Sequence, residues 1–239
     1  MRRLGIIQPG KIGDIIICLP IAKWYYDRGY EIIWPVEKEM IKNFTEYVDY
    51  VKFMPIEFDC MEAYQTCINN FCTKIIDLAF TIPNANPLNS QNYLTQDLYS
   101  FDEFKYFLAD VPFEEKWKLK INRNAQKENL LKTTIEADNP FVVVQEKASD
   151  SKRSVLWENE SIKRIDISPI TDSVFDWLGV LEDAEQHILI ESSFSNLVDQ
   201  LNIPVKKNVL LLKHGYYGNP LKDGRMRGLP VLNRYWIKL

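Results

Sequence analysis

Residues 4–20 read LGIIQPGKIGDIIICLP, two apolar runs parted by a short polar turn. The first run, LGIIQ (4–8), is short, rich in isoleucine and closed by Pro9 and Gly10, which reads as a buried strand. The second opens near Asp14 and continues to Gly29, long enough for a helix with a glycine stop. Strand, glycine turn and helix in that order form the first half of a β–α–β unit. The pattern then repeats. YEIIWPV (30–36), VDYVKFMPI (48–56) and KIIDLAF (74–80) read as strands, with the helical stretches EKEMIKNFTEY (37–47) and MEAYQTCINNF (61–71) between them. Alternation of this kind predicts a doubly wound parallel sheet.

Residues 81–98 are rich in Asn, Pro, Ser and Gln and read as a loop crossing the surface or a cleft. SFDEFKYFLADVPF (100–113) reads as a helix ended by Pro112, and WKLKI (117–121) alternates like a strand. The polar stretch 122–138 is the best place for a linker or domain boundary. A second series follows. FVVVQEK (141–147), a strand within IKRIDISPI (162–170), HILIESS (187–193) and NVLLLKHG (208–215) alternate with helices over 171–186, capped at Thr171 or Asp172, and 194–202. The tail from Tyr216 shows no clear period. Two Rossmann-like domains are therefore expected, over residues 1–125 and 136–239.

The net charge of −4 leaves no broad basic field, so nucleic acid is not expected as a partner. Basic residues cluster locally at Lys152-Arg153 and at Arg225 and Arg227, enough to hold a small anion such as a diphosphate. The four cysteines form no CxxC pair, and His187 and His214 are the only histidines, which argues against a metal site and for reduced thiols. The apolar run after the basic start is broken at Gln8–Lys11, unlike a signal peptide, and no run is long enough to span a membrane. A cytoplasmic location is expected, with room for peripheral membrane contact. The aromatics Trp24, Tyr25, Tyr26 and Trp34 suit a packed core and also stacking on a sugar.

Ligands of open α/β sheets bind at the carboxyl ends of strands, and three turns stand out there. Gly10 and Gly13 let the backbone approach a ligand closely. Asp14, at the start of a helix whose dipole favours its charged form, could take a proton from a hydroxyl nucleophile or simply cap the helix. ASDSKRS (148–154) offers Lys152 and Arg153 to phosphate oxygens, or is a solvated basic loop. In ILIESSFSNL (188–197), Glu191, Ser192 and Ser193 lie where a strand gives way to a helix, suited to a phosphate and a ribose or to an ordinary cap. No GxGxxG follows a strand, which disfavours a nicotinamide oxidoreductase.

These three segments resemble glycosyltransferase family 9, the lipopolysaccharide heptosyltransferase group. Gly13, Asp14, Leu19 and Pro20 match its amino-terminal signature. Lys152 and Arg153 match its basic element, with Ser154 in place of an aromatic. In its Asp-Thr-Gly helix motif, Glu191, Ser192, Ser193 and Asn196 stand for Asp, Thr, Gly and His, and Pro204 matches. The resemblance implies a GT-B-like α/β fold, two Rossmann-like domains facing a central cleft, the first on the acceptor side and the second binding a nucleotide-sugar. It implies an inverting, metal-independent transfer to a glycan or lipid-linked acceptor, with the nucleotide-sugar as donor and no further cofactor. Asp14 would be the general base, with Gly10, Lys11 and Gly13 against substrate. Lys152 and Arg153 would neutralise the diphosphate, and Glu191, Ser192 and Ser193 would hold the nucleotide. The rivals are a non-catalytic nucleotide- or sugar-binding protein and a bare scaffold on the same fold.

Overall fold

The structure, a computed structural model, describes residues 2–57, 59–79, 99–138, 140–149, 151–155, 161–213, 229–233 and 236–239. The loop expected over 81–98, His214 and the basic cluster at Arg225 and Arg227 lie outside the described residues. The chain forms two compact units. The first contains residues 2–41, 49–120 and 229–231, the second 42–48, 121–213 and 232–239.

In the first unit, β1 (Arg2–Ile7), α1 (Ile12–Tyr26), β2 (Tyr30–Glu37), a single turn α2 (Lys38–Ile41), β3 (Lys52–Ile56), α3 (Cys60–Asn69), β4 (Lys74–Asp77) and α4 (Phe101–Ala109) follow in order. A 3₁₀ turn, Phe113–Trp117, comes next. All strand pairs are parallel, in the order β3-β2-β1-β4. β1 and β2 are buried over near-continuous runs because both faces of a parallel sheet are covered. Helix α1 is buried from Ile15 to Ala22, so apolar residues go all round it, as its sequence shows. Gly29 ends that segment with φ +82°, a conformation a side chain would disfavour.

The second unit contains α5 (Ala125–Thr134), β5 (Phe141–Gln145), β6 (Lys163–Asp166), a 3₁₀ turn (Val174–Trp177), α6 (Leu178–Asp183), β7 (Gln186–Ile190), α7 (Ser193–Gln200), β8 (Lys207–Leu211) and β9 (Ile237–Lys238). Its sheet is parallel throughout, ordered β6-β5-β7-β8-β9. Val142, Val144, Ile188, Ile190, Val209 and Leu211 form one core cluster of its central strands.

Several expectations are corrected. Residues 118–121 are not a strand: Leu119 is buried between exposed Lys118 and Lys120, but among the described residues no strand pairs with them. The supposed linker contains α5, capped by the Asn124 side chain accepting from the Lys127 N–H at 3.1 Å. The helix expected over 37–47 stops at Ile41. Phe44 and Tyr47 then pack on Phe175, with ring centroids 5.9 and 5.1 Å away. The cap near residue 172 is Ser173, whose Oγ accepts from the Phe175 N–H at 3.2 Å. The tail supplies β9, and the Trp236 indole donates to the buried Asp199 at 3.3 Å.

Candidate functional site

Each sheet reverses its winding at one place. In the first unit β2 and β3 lie on one side of β1 and β4 on the other, so the switch falls between β1 and β4. In the second it falls between β5 and β7. The carboxyl ends of such neighbouring strands splay their loops apart and leave a crevice for a ligand. Every sequence-selected residue follows one of these four strands.

After β1, Lys11 takes the N-cap position of α1 in extended backbone and gives no side-chain cap. Helix α1 begins at Ile12, so Gly13 and Asp14 both lie in its first turn. The Asp14 N–H bonds the Lys11 carbonyl at 2.9 Å. Its carboxylate is half-buried and accepts no hydrogen bond among the described residues. Gly10 has no positive φ, so its value is space. A Cβ there would stand 3.1 Å from Asp14 Oδ2 and 2.8 Å from Gln8 Nε2.

After β5 the chain doubles back. Lys147 and Lys152 form an isolated antiparallel bridge, and the Arg153 N–H bonds the Glu146 carbonyl at 2.8 Å. Arg153 Nε donates to the Leu212 carbonyl, just past β8, at 2.7 Å. Both Lys152 and Arg153 are exposed. Among the described residues neither the Lys152 ammonium nor the terminal guanidinium nitrogens of Arg153 have a partner. A tight turn thus carries two cations, one with its fork anchored at the base and open at the tip. After β7, the Glu191 N–H bonds the Leu211 carbonyl at 3.0 Å. Ser192 caps α7: its Oγ accepts from the Phe194 and Ser195 N–H groups and donates to Gln145 Oε1 at 2.6 Å. That hydroxyl therefore spans the β5/β7 switch and ties the two loops together. Lys152, Arg153, Glu191, Ser192 and Ser193 share one sheet edge. Gly10, Lys11, Gly13 and Asp14 share the corresponding edge of the other sheet.

Three side chains at these edges escaped the sequence reading: Gln8, Gln145 and Lys105. The strands LGIIQ and FVVVQ both end an apolar run with glutamine, and that repeated signal marks the two switch points. Lys105, a lone basic residue in the apolar face of α4, is buried and donates from Nζ to Gln8 Oε1 and to the Leu78 carbonyl at 2.8 Å. Of the sequence-selected aromatics, Trp34 alone reaches this edge. Trp34 is fully buried, its indole donating to the Gln8 carbonyl at 3.1 Å. Trp24, Tyr25 and Tyr26 lie near the far end of α1, about 15 Å along its axis from Asp14. Trp34 is thus enclosed in the core, and the other three stand away from Asp14 along α1.

Among the described residues no group of three or more His, Cys, Asp or Glu side chains could hold a metal ion. No helix among them is long and apolar enough to cross a membrane.

No family model matches the chain, nor does any curated protein sequence. Solved structures do. The chain has an α/β fold like that of GT-B-type heptosyltransferase structures. All of it aligns with 90% of Escherichia coli ADP-heptose lipopolysaccharide heptosyltransferase II, at TM-score 0.61 and 10% identity. All of it also aligns with 86% of a family 9 glycosyl transferase from Veillonella parvula DSM 2008, at TM-score 0.58 and 10% identity. The E. coli heptosyltransferase WaaC with ADP-2-deoxy-2-fluoro heptose matches over 95% of this chain and 92% of its own, at TM-score 0.51 and 13% identity.

Proposed function

We propose that this protein is an inverting, metal-independent glycosyltransferase that moves a sugar from a nucleotide-sugar to the hydroxyl of a glycan-type acceptor. The observation that carries the reading is the Asp14 carboxylate, half-buried, free of hydrogen bonds among the described residues and set at the β1/β4 switch point of a heptosyltransferase-like fold. A carboxylate so placed is free to accept the acceptor's hydroxyl proton as that oxygen attacks the anomeric carbon. The bond from that carbon to the diphosphate breaks, its electron pair leaves with the nucleoside diphosphate, and attack from the opposite face inverts the configuration. Charge builds on the departing diphosphate. Lys152 as a point charge and Arg153 as an open fork neutralise it in place of a metal ion. Glu191 and Ser193 serve the nucleotide. Ser192, already engaged as a cap, acts by fixing the loop that carries them.

The test is calorimetric titration with ADP-, GDP-, UDP-, CDP- and dTDP-sugars. ADP-sugars come first because the E. coli structures are an ADP-heptose transferase and WaaC with an ADP-heptose analogue. Binding of one nucleotide class, followed by release of that diphosphate when an acceptor is added, is the expected result. Binding without release for any acceptor supports the non-catalytic nucleotide-binding protein instead, and no binding leaves the bare scaffold.

A further inference from the structure

Lys105 is only 2% exposed. Both acceptors of its ammonium, Gln8 Oε1 and the Leu78 carbonyl, are neutral, and no carboxylate pairs with it among the described residues. Burying an ammonium costs several kcal/mol after relaxation, and hydrogen bonds to neutral oxygens return only part of that. Asp102, three residues earlier on α4, does have a cation: it pairs with Lys116 at 2.7 Å. The uncompensated charge of Lys105 therefore stands out.

Its position is specific. Gln8 follows β1 and Leu78 follows β4, so the ammonium bridges the two strands that flank the switch point. An ammonium has only donors, so Gln8 must turn its carbonyl oxygen to it. The amide nitrogen then faces the other way. Gln8 Nε2 and Asp14 Oδ2 lie 2.8 and 3.1 Å from the same point, the vacant Cβ position of Gly10. The Trp34 indole, bonded to the Gln8 carbonyl, holds the backbone in that setting. Cys18, one helical turn beyond Asp14, feels both charges: Lys105 lowers the pKa of its thiol and Asp14 raises it, against the larger upward push of burial.

We propose that Lys105 is a positioning residue for the segment that carries Asp14: by holding Gln8 Oε1 and the Leu78 carbonyl it fixes the ends of β1 and β4, and with them the Gln8 side chain that flanks Gly10 beside Asp14. This rests on the reading of Asp14 as the base, and the tests separate the two.

The first test needs no substrate. Denaturation midpoints are measured for the wild type, Lys105→Met, Asp14→Asn and the double variant. Coupling predicts that Lys105→Met lowers the midpoint more when Asp14 is present than when it is replaced; additive shifts overturn the proposal. The second test is single-turnover transfer with parallel donor titration. Lys105→Met slows transfer by about a hundredfold, as expected for a slightly displaced reacting group, while donor affinity changes little. Gln8→Glu keeps an oxygen for Lys105 but puts a carboxylate where the amide flanks Gly10 beside Asp14, so it slows transfer in the same way even if Lys105→Met folds poorly. Full-rate transfer by either variant overturns the positioning role. Full-rate transfer by Asp14→Asn overturns the base assignment instead, and the denaturation cycle then decides on Lys105 alone.

Discussion

Gly10 and Asp14 fit together as a notch and the carboxylate that fills it: a Cβ on Gly10 would come within 3.1 Å of Asp14 Oδ2. The same atom would press at 2.8 Å on the amide nitrogen of Gln8, which is buried and tied to Lys105. Because Gly10 has no positive φ, Gly10→Ala brings no backbone strain and reduces the freedom of the unfolded chain. The expected outcome is a stability change within about 1 kcal/mol and a loss of transfer of about tenfold or more, since the carboxylate must shift. Urea denaturation beside an initial-rate assay checks the pair. Stability lost with the rate unchanged would assign Gly10 to folding alone.

Lys152 and Arg153 have different jobs within one turn. Arg153 is anchored through Nε to Leu212, and Lys152 has no side-chain partner among the described residues. Replacing either by alanine should weaken binding of a nucleoside diphosphate by about tenfold while leaving nucleoside binding unchanged. Arg153→Lys should fail to restore affinity, because an ammonium cannot hold the Leu212 carbonyl and fork a phosphate together. Calorimetry with the nucleoside and its diphosphate separates these outcomes from a general loss of fold.

Asp102 and Lys116 form an ion pair with side chains 0% and 1% exposed. Asp102 also accepts from the Val231 N–H at 3.0 Å, and Lys116 donates to the Val231 carbonyl, so the pair fastens this late segment to the first unit. Lys116→Met should cost about 3–5 kcal/mol by stranding a buried carboxylate. Combining it with Asp102→Asn should cost less than the two single changes added together. Equilibrium denaturation of the four proteins measures both effects.

Alkaline pH should loosen the first unit at Cys18. Burial pushes this thiol up to about 12 from an ordinary 9.0. The unfolded chain gives up the proton first, so the stability held by the neutral thiol is complete below about pH 9 and declines as pH rises towards 12. The slope is at most about 1.4 kcal/mol per pH unit. Cys18→Ala should flatten that part of the curve, although its stability at neutral pH will be lower through the lost packing. An unaltered slope would place the alkaline loss elsewhere.

Much of the fold is legible because its central strands are buried on both faces. FVVVQ and LGIIQ then appear as unbroken apolar runs, and the adjoining turns mark the carboxyl edge. The errors come from segments whose partners are distant in sequence. WKLKI keeps a strand's alternation with no strand paired to it among the described residues. Helix α5 reads as a linker because one of its two buried residues is Glu128, held by Arg123 at 2.8 Å, so its inward face is not wholly apolar. Phe44 and Tyr47 are drawn out of a helical stretch by Phe175, a residue far along the chain. At the site, the glycines and charged residues announce themselves by type. Lys105 does not, because an isolated lysine in a helix usually faces solvent, and only the arrangement of β1 and β4 reveals that this one is enclosed.

The most direct measurement is a single-turnover assay of Asp14→Asn beside the wild type, using the donor identified by titration and following both free diphosphate and glycosylated acceptor. If Asp14 takes the acceptor's proton, the variant binds donor with near wild-type affinity and transfers at least about a thousandfold more slowly. Transfer at the wild-type rate by a folded, donor-binding Asp14→Asn protein would contradict that role and move the search for the base away from the β1/β4 edge.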